Sequence, residues 1–380
     1  MTKITAGSNA LHMYRTAMGG KKGFRKTFPL LGAEEDARIR RSYRGGFAYV
    51  NPRFQGTEQG AGIVLDVNSL YPSVMAGCAG EVLPFGPAIP FEGAPPDCPD
   101  TPLWVADVEC AFSLKPEHLP TVQMKGSAYR FNPTEYITDS QGIQTLTLTS
   151  VDWALLCDQY DVTDATFTGG FMFRASGDLF RGYVDHWTEV KVRAGKEGNK
   201  GMRQIAKLQL NSLYGKFATR TTVGRRKPVM EGGVVRYRDL LPEEREPVYL
   251  PVGTFVTAWA RNKTIRSSQA VFERFMYADT DSMHLLGTEY PENVDVDDYR
   301  LGAWKVEERF ERAKYLRAKC YTEYLTDGTK SVHVSGLPYA CHDFVDMENF
   351  DYDAVYPGKL YQHRVPGGIV LVEGDFQIRR

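Results

Sequence analysis

Residues 275–286 read Phe-Met-Tyr-Ala-Asp-Thr-Asp-Ser-Met-His-Leu-Leu, and this stretch decides the fold class that the sequence predicts. The apolar run before Asp279 predicts a strand, and the run from His284 to Leu286 predicts its return after a tight turn. Asp279 and Asp281 are two positions apart on an extended segment, so their side chains point to the same face. Adjacent carboxylates raise each other's pKa, which indicates a cation between them. A polar surface turn is the alternative, which the flanking apolar residues disfavour.

The rest of the chain alternates strands and helices without a βαβ rhythm, which predicts an α+β fold with an antiparallel sheet. The pattern predicts strands at 103–110 and 144–149, within a small β-rich insertion. The proline-free segment 179–218 carries an apolar stripe and predicts helices. Glycine and proline crowd residues 77–102, which predicts an irregular connection, and residues 219–247 predict a second turn-rich interruption.

Composition and charge place the chain among ordinary globular proteins. It has 380 residues, of which 42% are hydrophobic and 24% charged. The net charge of −1 is unevenly distributed, since residues 174–227 hold thirteen Lys or Arg against four acids. Such a basic region suits a polyanion, although charge runs are often only solvated faces. The six cysteines lack zinc-ligand spacing, and no membrane span or signal peptide is evident, so we expect a soluble, reduced, cytoplasmic protein.

A third carboxylate follows the apolar run Gly62–Leu65, which predicts a buried strand ending at Asp66. The segment Asp66–Ser73 continues with a Ser/Pro break that can open a helix, where backbone N–H groups can hold a triphosphate. Tyr71, if it lies under an incoming sugar, would clash with a 2′-hydroxyl. A strand-end aspartate is also common as a purely structural residue, and this alternative stays open on these residues alone.

A basic helix face is the third feature. Arg203, Lys207 and Asn211 follow one another at intervals of four, and Tyr214 comes three residues later. This face offers two cations, an amide and an aromatic ring, which matches the needs of a nucleoside triphosphate. Gly215 permits close backbone approach. The alternative is a solvated basic face with a tyrosine in the core.

Together, these segments resemble the family B DNA polymerases, which carry D-x-x-S-L-Y-P-S, K-x-x-x-N-S-x-Y-G and Y-x-D-T-D-S motifs in this order. More narrowly, the chain resembles the protein-primed polymerases of small linear-genome phages. Their Y-x-G-G motif is similar to Tyr43–Gly46, and their K-x-Y motif is similar to Lys319–Tyr321. The likeness extends through Thr5–Ser8, Lys216–Ala218, Thr257–Arg261, Tyr315–Arg317 and Val365–Gly368, so it covers essentially the whole chain.

The resemblance implies a right-hand architecture with an antiparallel palm sheet. The implied divisions are palm 1–76 and 248–335, first insertion 77–168, fingers 169–218, second insertion 219–247 and thumb 336–380. It also implies an enzyme that adds dNTPs to a primer 3′-hydroxyl, or to a hydroxyl of a priming protein, by two-metal phosphoryl transfer. The alternative is a catalytically silent DNA-binding subunit of a split polymerase.

The resemblance assigns roles to individual residues. The implied catalytic carboxylates are Asp66, Asp279 and Asp281, which with Val67 would hold two Mg²⁺ ions, or Mn²⁺ in their place. The implied nucleotide-binding residues are Ser69, Leu70, Tyr71, Lys191, Arg203, Lys207, Asn211 and Tyr214. The implied DNA-binding residues are Tyr43, Gly45, Gly46, Ser212, Gly215, Thr257, Arg261, Arg317, Lys319 and Tyr321.

The implied partners are primer–template DNA, dNTPs and a terminal priming protein, bound by a monomer in the cytoplasm of a host cell. Family members also carry an N-terminal 3′–5′ exonuclease domain, and this sequence starts where that domain would end. The acids before Asp66 are only Glu34, Glu35, Asp36 and Glu58, too few for a two-metal nuclease. We therefore expect no proofreading and weak strand displacement from this polypeptide, with a separate exonuclease chain as a candidate partner.

Overall fold

The computed structural model describes residues 5–123, 136–366 and 368–379, so Gly367 of the quoted Val365–Gly368 segment lies outside it. Its largest sheet has eight strands, all joined by antiparallel pairing. These strands are β1 (Ala48–Val50), β2 (Glu58–Gln59), β3 (Gly62–Val67), β10 (Phe275–Asp279), β11 (Ser282–Leu286), β12 (Trp304–Arg317), β13 (Cys320–Leu325) and β14 (Lys330–Val334). Their order is β1-β10-β11-β3-β12-β13-β14, with β2 paired to β12. The predicted hairpin and the predicted strand before Asp66 are confirmed, side by side at the centre of this sheet.

A second sheet has four strands in the order β4-β7-β5-β6. They are β4 (Leu83–Glu92), β5 (Leu103–Leu114), β6 (Gln144–Thr149) and β7 (Tyr160–Ser176). The expectation of an irregular connection at 77–102 was wrong, because β4 occupies ten of these residues. As an edge strand β4 tolerates proline, and Gly86 adopts a φ of +80° where the register shifts. Strand β7 also runs through the predicted boundary between 168 and 169.

Two separate hairpins complete the strands. They are β8 (Thr222–Glu231) with β9 (Val234–Glu244), and β15 (Val355–Val365) with β16 (Gly368–Gln377). The turn-rich segment expected at 219–247 is thus a long exposed hairpin. Gly232 and Gly233 both have positive φ at its tip, as a two-residue hairpin turn requires. The prediction of a turn in this segment is confirmed, but the two strands beside the turn were not predicted.

Eight α-helices lie in the described residues. They are α1 (Ala6–Ala17), α2 (Gly20–Thr27), α3 (Ala33–Arg40), α4 (Leu70–Met75), α5 (Ser150–Gln159), α6 (Arg181–Lys196), α7 (Lys200–Phe217) and α8 (Leu250–Gln269), and a 3₁₀ helix spans Tyr339–Phe344. The helical prediction for 179–218 is confirmed as the antiparallel pair α6 and α7. Gly198 ends α6 with a φ of +68°, and the Asn199 side chain accepts the Met202 N–H at 3.0 Å to start α7.

The main core lies between the large sheet, α8 and the helices of the chain's first 40 residues. Helix α8 packs on α4, α7 and β4, and most of its length is buried. A smaller core joins Leu316 and Cys320 to the 3₁₀ helix and the β15–β16 hairpin. Within the described part of the chain, no helix combines the length and apolar character needed to cross a membrane. The fold is thus mixed α+β with antiparallel sheets, as predicted.

Candidate active site

Sheet pairing brings Asp66 and Asp281 together although 215 positions separate them in the sequence. Strands β3 and β11 pair with Ser282 opposite Asp66, and the Val67 N–H donates to the Asp281 carbonyl at 2.7 Å. Both carboxylates therefore lie at the same end of two adjacent central strands. A site in this place has a rigid floor, because each strand is held by neighbours on both sides.

The turn that joins β10 to β11, from Asp279 to Asp281, is held by contacts from three directions. Its central residue, Thr280, has a φ of +64°. The Thr280 N–H donates to the Phe47 carbonyl at 2.6 Å, and the Thr264 hydroxyl donates to the Thr280 carbonyl at 2.8 Å. A Cβ atom at Gly46 would lie only 2.6 Å from the Thr280 hydroxyl oxygen. The glycine thus lets the Y-x-G-G segment pack against the turn that orients both carboxylates.

An open cavity of about 540 Å³ lies above these strands. It is lined by Asp66, Ser69, Leu70, Tyr71, Pro72, Asn211, Tyr214, Asp279, Thr280, Asp281, Ser282, Glu307, Lys319 and Tyr321. The three predicted carboxylates thus share one space with residues of the predicted nucleotide and DNA sets. Each of the three sequence motifs contributes to its wall.

Burial and neighbouring negative charges raise the pKa values of Asp66 and Asp281. Burial, followed by the charges of Asp281 and Glu307, raises the pKa of Asp66 to about 7. Burial also raises the pKa of Asp281, with Asp279 and Glu307 adding to the effect. Negative charge is therefore costly here unless cations compensate it, which is the electrostatic signature of a metal site.

The donor chemistry fits a hard divalent cation. Magnesium and manganese prefer carboxylate oxygens, and Mg²⁺ commonly uses one or two of them together with substrate phosphates. In this structure both oxygens of Asp279 accept hydrogen bonds from the Lys319 ammonium at 2.7 Å. Within the described ranges no group of three metal-ligating side chains is already assembled. Asp66 and Asp281 could begin such a site, and Asp279 could join them once Lys319 moves away.

Cations gather on the side of the cavity that faces α6 and α7. The Lys191 ammonium lies 3.4 Å from the Ser69 hydroxyl. Burial lowers the pKa of Lys191, and the charges of Arg203, Lys207 and Lys305 lower it further. Positive charges forced this close together would be stabilised by an anion with several charges. This group matches the predicted triphosphate-binding residues, with Lys305 as an addition.

Two tyrosines, one on α4 and one on α7, form a wall of the cavity. The rings of Tyr71 and Tyr214 stack with centroids 4.0 Å apart and planes 24° apart. Tyr71 lies in the first turn of α4, after Ser69 with a φ of +56°, and Leu70 between them is buried. Asn211 is one turn before Tyr214 on α7. This pair gives the cavity a flat aromatic surface next to its acidic floor.

Residues of the predicted DNA set lie beyond the carboxylates. Lys319, in the turn between β12 and β13, has a φ of +57°, and its N–H donates to the Tyr277 hydroxyl at 3.0 Å. Tyr321 stacks on His333 with centroids 4.7 Å apart, and Arg317 donates to the Arg379 carbonyl. Ser212 and Gly215 lie on the last turns of α7, outside the cavity wall.

The placement of Thr257 and Arg261 differs from the expected contact with a primer strand. Both are buried, with 1% and 4% exposure. The Thr257 hydroxyl donates to backbone carbonyls of its own helix. Arg261 forms a two-pronged ion pair with Asp152 at 2.7 and 2.9 Å and donates to the carbonyls of Arg44 and Gly45. Arg261 therefore supports the Y-x-G-G segment from within, instead of facing DNA.

Sequence reasoning missed three residues of this region. Glu307 and Lys305 received no role, but β12 pairs with β3 and places Lys305 opposite Asp66. Asp152 received no role, although it anchors Arg261. Charged residues at alternating positions between Trp304 and Phe310 were the available signal for the first two. No local signal pointed to Asp152, because its partner is 109 residues away.

Comparisons with known proteins agree with the geometry. The family model described as "DNA polymerase type B, organellar and viral" matches residues 1–298. The DNA polymerase of Bacillus phage phi29 is 39% identical over 400 residues, which cover 100% of this chain and 68% of that protein. The DNA polymerase of Streptococcus phage Cp-1 is 33% identical over 390 residues, covering 100% of this chain and 67% of the relative.

Solved structures give the same result. The phi29 DNA polymerase complexed with primer-template DNA and incoming nucleotide substrates superposes with a TM-score of 0.92 at 39% identity. The alignment covers 99% of this chain and 68% of that one. The phi29 polymerase complexed with single-stranded DNA gives a TM-score of 0.89 at 37% identity, over 100% of this chain and 68% of that chain.

Proposed function

Because the chain belongs to the phi29-like, protein-primed family B DNA polymerases, we propose that it is a DNA-directed DNA polymerase. Its reaction would join a dNTP to a primer 3′-hydroxyl, or to a hydroxyl of a terminal protein, and release pyrophosphate. The observation that carries the proposal is the pairing of β3 with β11, which places Asp66 beside Asp281 in a cavity whose walls include residues predicted to bind nucleotide.

Asp66 and Asp281 would hold two divalent cations, with Asp279 and the Val67 carbonyl as further oxygen donors. When bound, such ions activate the attacking hydroxyl and stabilise the leaving phosphate. The chain's own contribution is to fix the carboxylates on rigid strands and to keep Asp279 neutralised by Lys319 until substrate binds. Burial around Asp66 strengthens every electrostatic contact made there.

The cationic group would bind the triphosphate. Lys191 lies nearest the α4 turn, through its contact with Ser69, while Arg203 and Lys207 project from one face of α7. Fixed cations aimed at a transferring phosphate supply most of what a protein contributes to this chemistry. Backbone groups at Ser69 and Leu70 would complete the phosphate site at the start of α4.

Tyr71, Asn211 and Tyr214 would contact the sugar and the nascent base pair. The Tyr71 ring stacks on Tyr214 and so cannot swing freely away from the cavity. A ring fixed at this position would exclude a 2′-hydroxyl. We assign discrimination against ribonucleotides to Tyr71.

DNA would occupy the open side of the cavity. Lys319, Tyr321 and Arg317 would contact the primer strand, while Ser212 and Gly215 would lie near the template. Tyr43, Gly45 and Gly46 would line the path of the duplex. Thr257 and Arg261 would act behind this surface, by holding α8 and the Y-x-G-G backbone in place.

The proposed division of the chain into palm, fingers, insertions and thumb follows from this assignment. We propose palm segments at 1–76 and 248–335, fingers at 169–218, insertions at 77–168 and 219–247, and a thumb at 336–380. The helical part of the fingers is α6 with α7, and the second insertion is the β8–β9 hairpin. The proposed thumb shares a small core with the adjoining palm strands, in which Tyr356 and Phe376 belong to the same cluster as Leu316 and Cys320.

The test is extension of a labelled primer on single-stranded template with Mg²⁺, run with and without a displaced strand ahead of the primer. The proposal expects template-directed extension that EDTA abolishes. Binding of the primed template without any extension would instead support the silent DNA-binding subunit. The second template measures strand displacement independently of basal synthesis.

A further inference from the structure

Lys305 stands next to the catalytic floor on an element that none of the motifs includes. It lies near the start of β12, directly opposite Asp66 in the antiparallel pairing of β12 with β3. Its ammonium is 3.8 Å from the Asp66 carboxylate, and its side chain is 32% exposed. This distance allows Coulomb attraction but exceeds that of a hydrogen bond. Lys305 is thus near Asp66 without being bound tightly to it.

The charge of Lys305 acts in two directions. It opposes the rise in the pKa of Asp66, and it contributes to the lowered pKa of Lys191 on α6. The Lys305 ammonium therefore lies within electrostatic reach of both the carboxylate floor and the cationic group. A cation at this junction is repelled by Lys191, and would be repelled by divalent ions at Asp66. An anion with several charges, bound between the two groups, removes both sources of repulsion.

We propose that Lys305 is a further binding group for the tail phosphates of the incoming dNTP and for the departing pyrophosphate, an inference that rests on the proposed function. Its position on the sheet distinguishes it from the other cations. Lys191, Arg203 and Lys207 belong to the α6–α7 pair, whereas Lys305 belongs to the strand that pairs with β3. Lys305 thus keeps its position relative to Asp66 whatever the placement of the two helices.

The competing explanation is that Lys305 only neutralises Asp66. The two explanations predict a change in affinity for different ligands. A phosphate-binding lysine changes the affinity for polyphosphates, whereas a partner of Asp66 changes the affinity for divalent cations in the absence of nucleotide. Arginine at this position keeps the charge and can still bind phosphate.

The experiment measures binding instead of turnover. The full chain is assembled on a primer–template with a dideoxy-terminated primer that carries a fluorescent base analogue, and Ca²⁺ replaces Mg²⁺. The correct dNTP is titrated first, and inorganic pyrophosphate is then titrated into a separate complex. Wild type is compared with Lys305→Met, Lys305→Arg and Lys314→Met. Lys314 is the matched control, since it lies on the same strand and pairs with Asp351 at 3.3 Å. It does not line the cavity.

We expect Lys305→Met to weaken binding of both dNTP and pyrophosphate about tenfold, which corresponds to about 1.4 kcal/mol. Lys305→Arg and Lys314→Met should remain within about twofold of wild type. Unchanged polyphosphate affinity in Lys305→Met overturns the inference. Weaker Ca²⁺ binding in the absence of nucleotide, together with unchanged pyrophosphate affinity, also overturns it and supports the competing explanation. Failure of the wild-type complex to bind any dNTP overturns the proposed function itself, so the two failures are distinguishable.

Discussion

The ammonium of Lys319 lies 2.7 Å from each carboxylate oxygen of Asp279, and the two residues come from different turns of the central sheet. Asp279 ends β10, and Lys319 forms the turn between β12 and β13 with a φ of +57°. The ion pair joins the proposed primer-binding turn to the proposed metal-binding turn. We expect primer phosphate to draw Lys319 away from Asp279, which would make this carboxylate available only when DNA is bound.

Replacing Lys319 should weaken the binding of primer–template DNA through loss of one phosphate contact. For Lys319→Met, the slope of log K against log salt concentration should become shallower by about 1, since each neutralised phosphate contributes about that amount. Fluorescence anisotropy over a range of salt concentrations measures this slope. Lys330→Met, which breaks a lysine–carboxylate pair with Asp346 outside the cavity, is the control. Identical slopes for wild type and Lys319→Met would exclude the phosphate contact.

The contribution of Asp66 to the stability of the metal-free chain should fall as pH rises from about 4 to about 7. Folding raises the pKa of Asp66 from 3.8 to about 7, so in this window the folded chain binds more protons than the unfolded chain. The folded state is therefore favoured below this window, and this advantage is lost as pH rises through the folded pKa. In EDTA, the melting temperature of wild type minus that of Asp66→Asn, which cannot ionise, should therefore decrease as pH rises through this window.

Divalent cations should reverse this decline. Adding Mn²⁺ at pH 8 should raise the melting temperature of wild type and have little effect on Asp66→Asn, because binding to the folded state alone is stabilising. At pH 5 the Mn²⁺ effect should be smaller, since Asp66, whose pKa is raised to about 7, is then largely protonated. Parallel pH profiles for the two proteins, with or without Mn²⁺, would contradict the electrostatics described for this site.

Shortening Tyr71 should admit ribonucleotides. The Tyr71 ring stacks on Tyr214 at the cavity wall, and Tyr71→Val removes the ring that would meet a 2′-hydroxyl. We expect the ratio of kcat/KM for dNTP over rNTP to fall by at least about tenfold, a loss of about 1.4 kcal/mol of discrimination. Tyr71→Phe retains the ring and should retain the ratio. Equal discrimination by Tyr71→Val and wild type would exclude the steric role.

Breaking the buried pair of Arg261 and Asp152 should destabilise the fold much more than breaking an exposed pair on the same helix. Arg261→Met leaves a buried carboxylate without its partner, at a cost of about 3–5 kcal/mol. Arg266→Met breaks the half-exposed pair with Asp158 and should cost less than about 1 kcal/mol. Urea unfolding measures both free energies. Similar costs for the two variants would show that Arg261 is not the internal support of Gly45.

The parts of the fold that sequence reasoning predicted were those with strong local signals. The Asp279–Asp281 turn lies between two apolar runs, and the α6–α7 segment has a long helical stripe without proline. Strand β4 was missed because an edge strand tolerates the glycines and prolines that usually mark loops. The β8–β9 hairpin was missed because its exposed strands need no apolar alternation.

The site was predicted least well where long-range pairing decides the contacts. Nothing near Lys305 in the sequence shows that β12 aligns it with Asp66, because this register depends on strands more than 200 residues apart. The buried state of Arg261 likewise depends on Asp152, which lies in a distant helix. An arginine in a motif is easily taken for a phosphate ligand, but its neighbours in space determine whether it faces DNA or the core.

The most direct measurement of the central claim is Mg²⁺-dependent primer extension by wild type, Asp281→Asn and Glu311→Gln, with primer–template affinity measured in parallel. Glu311 is an exposed carboxylate on β12 and serves as the control. We expect Asp281→Asn to lose at least about 10²-fold in extension rate while its DNA affinity stays within about twofold of wild type, and Glu311→Gln to match wild type. Near-normal extension by Asp281→Asn would contradict the assignment of this cavity as the polymerase active site.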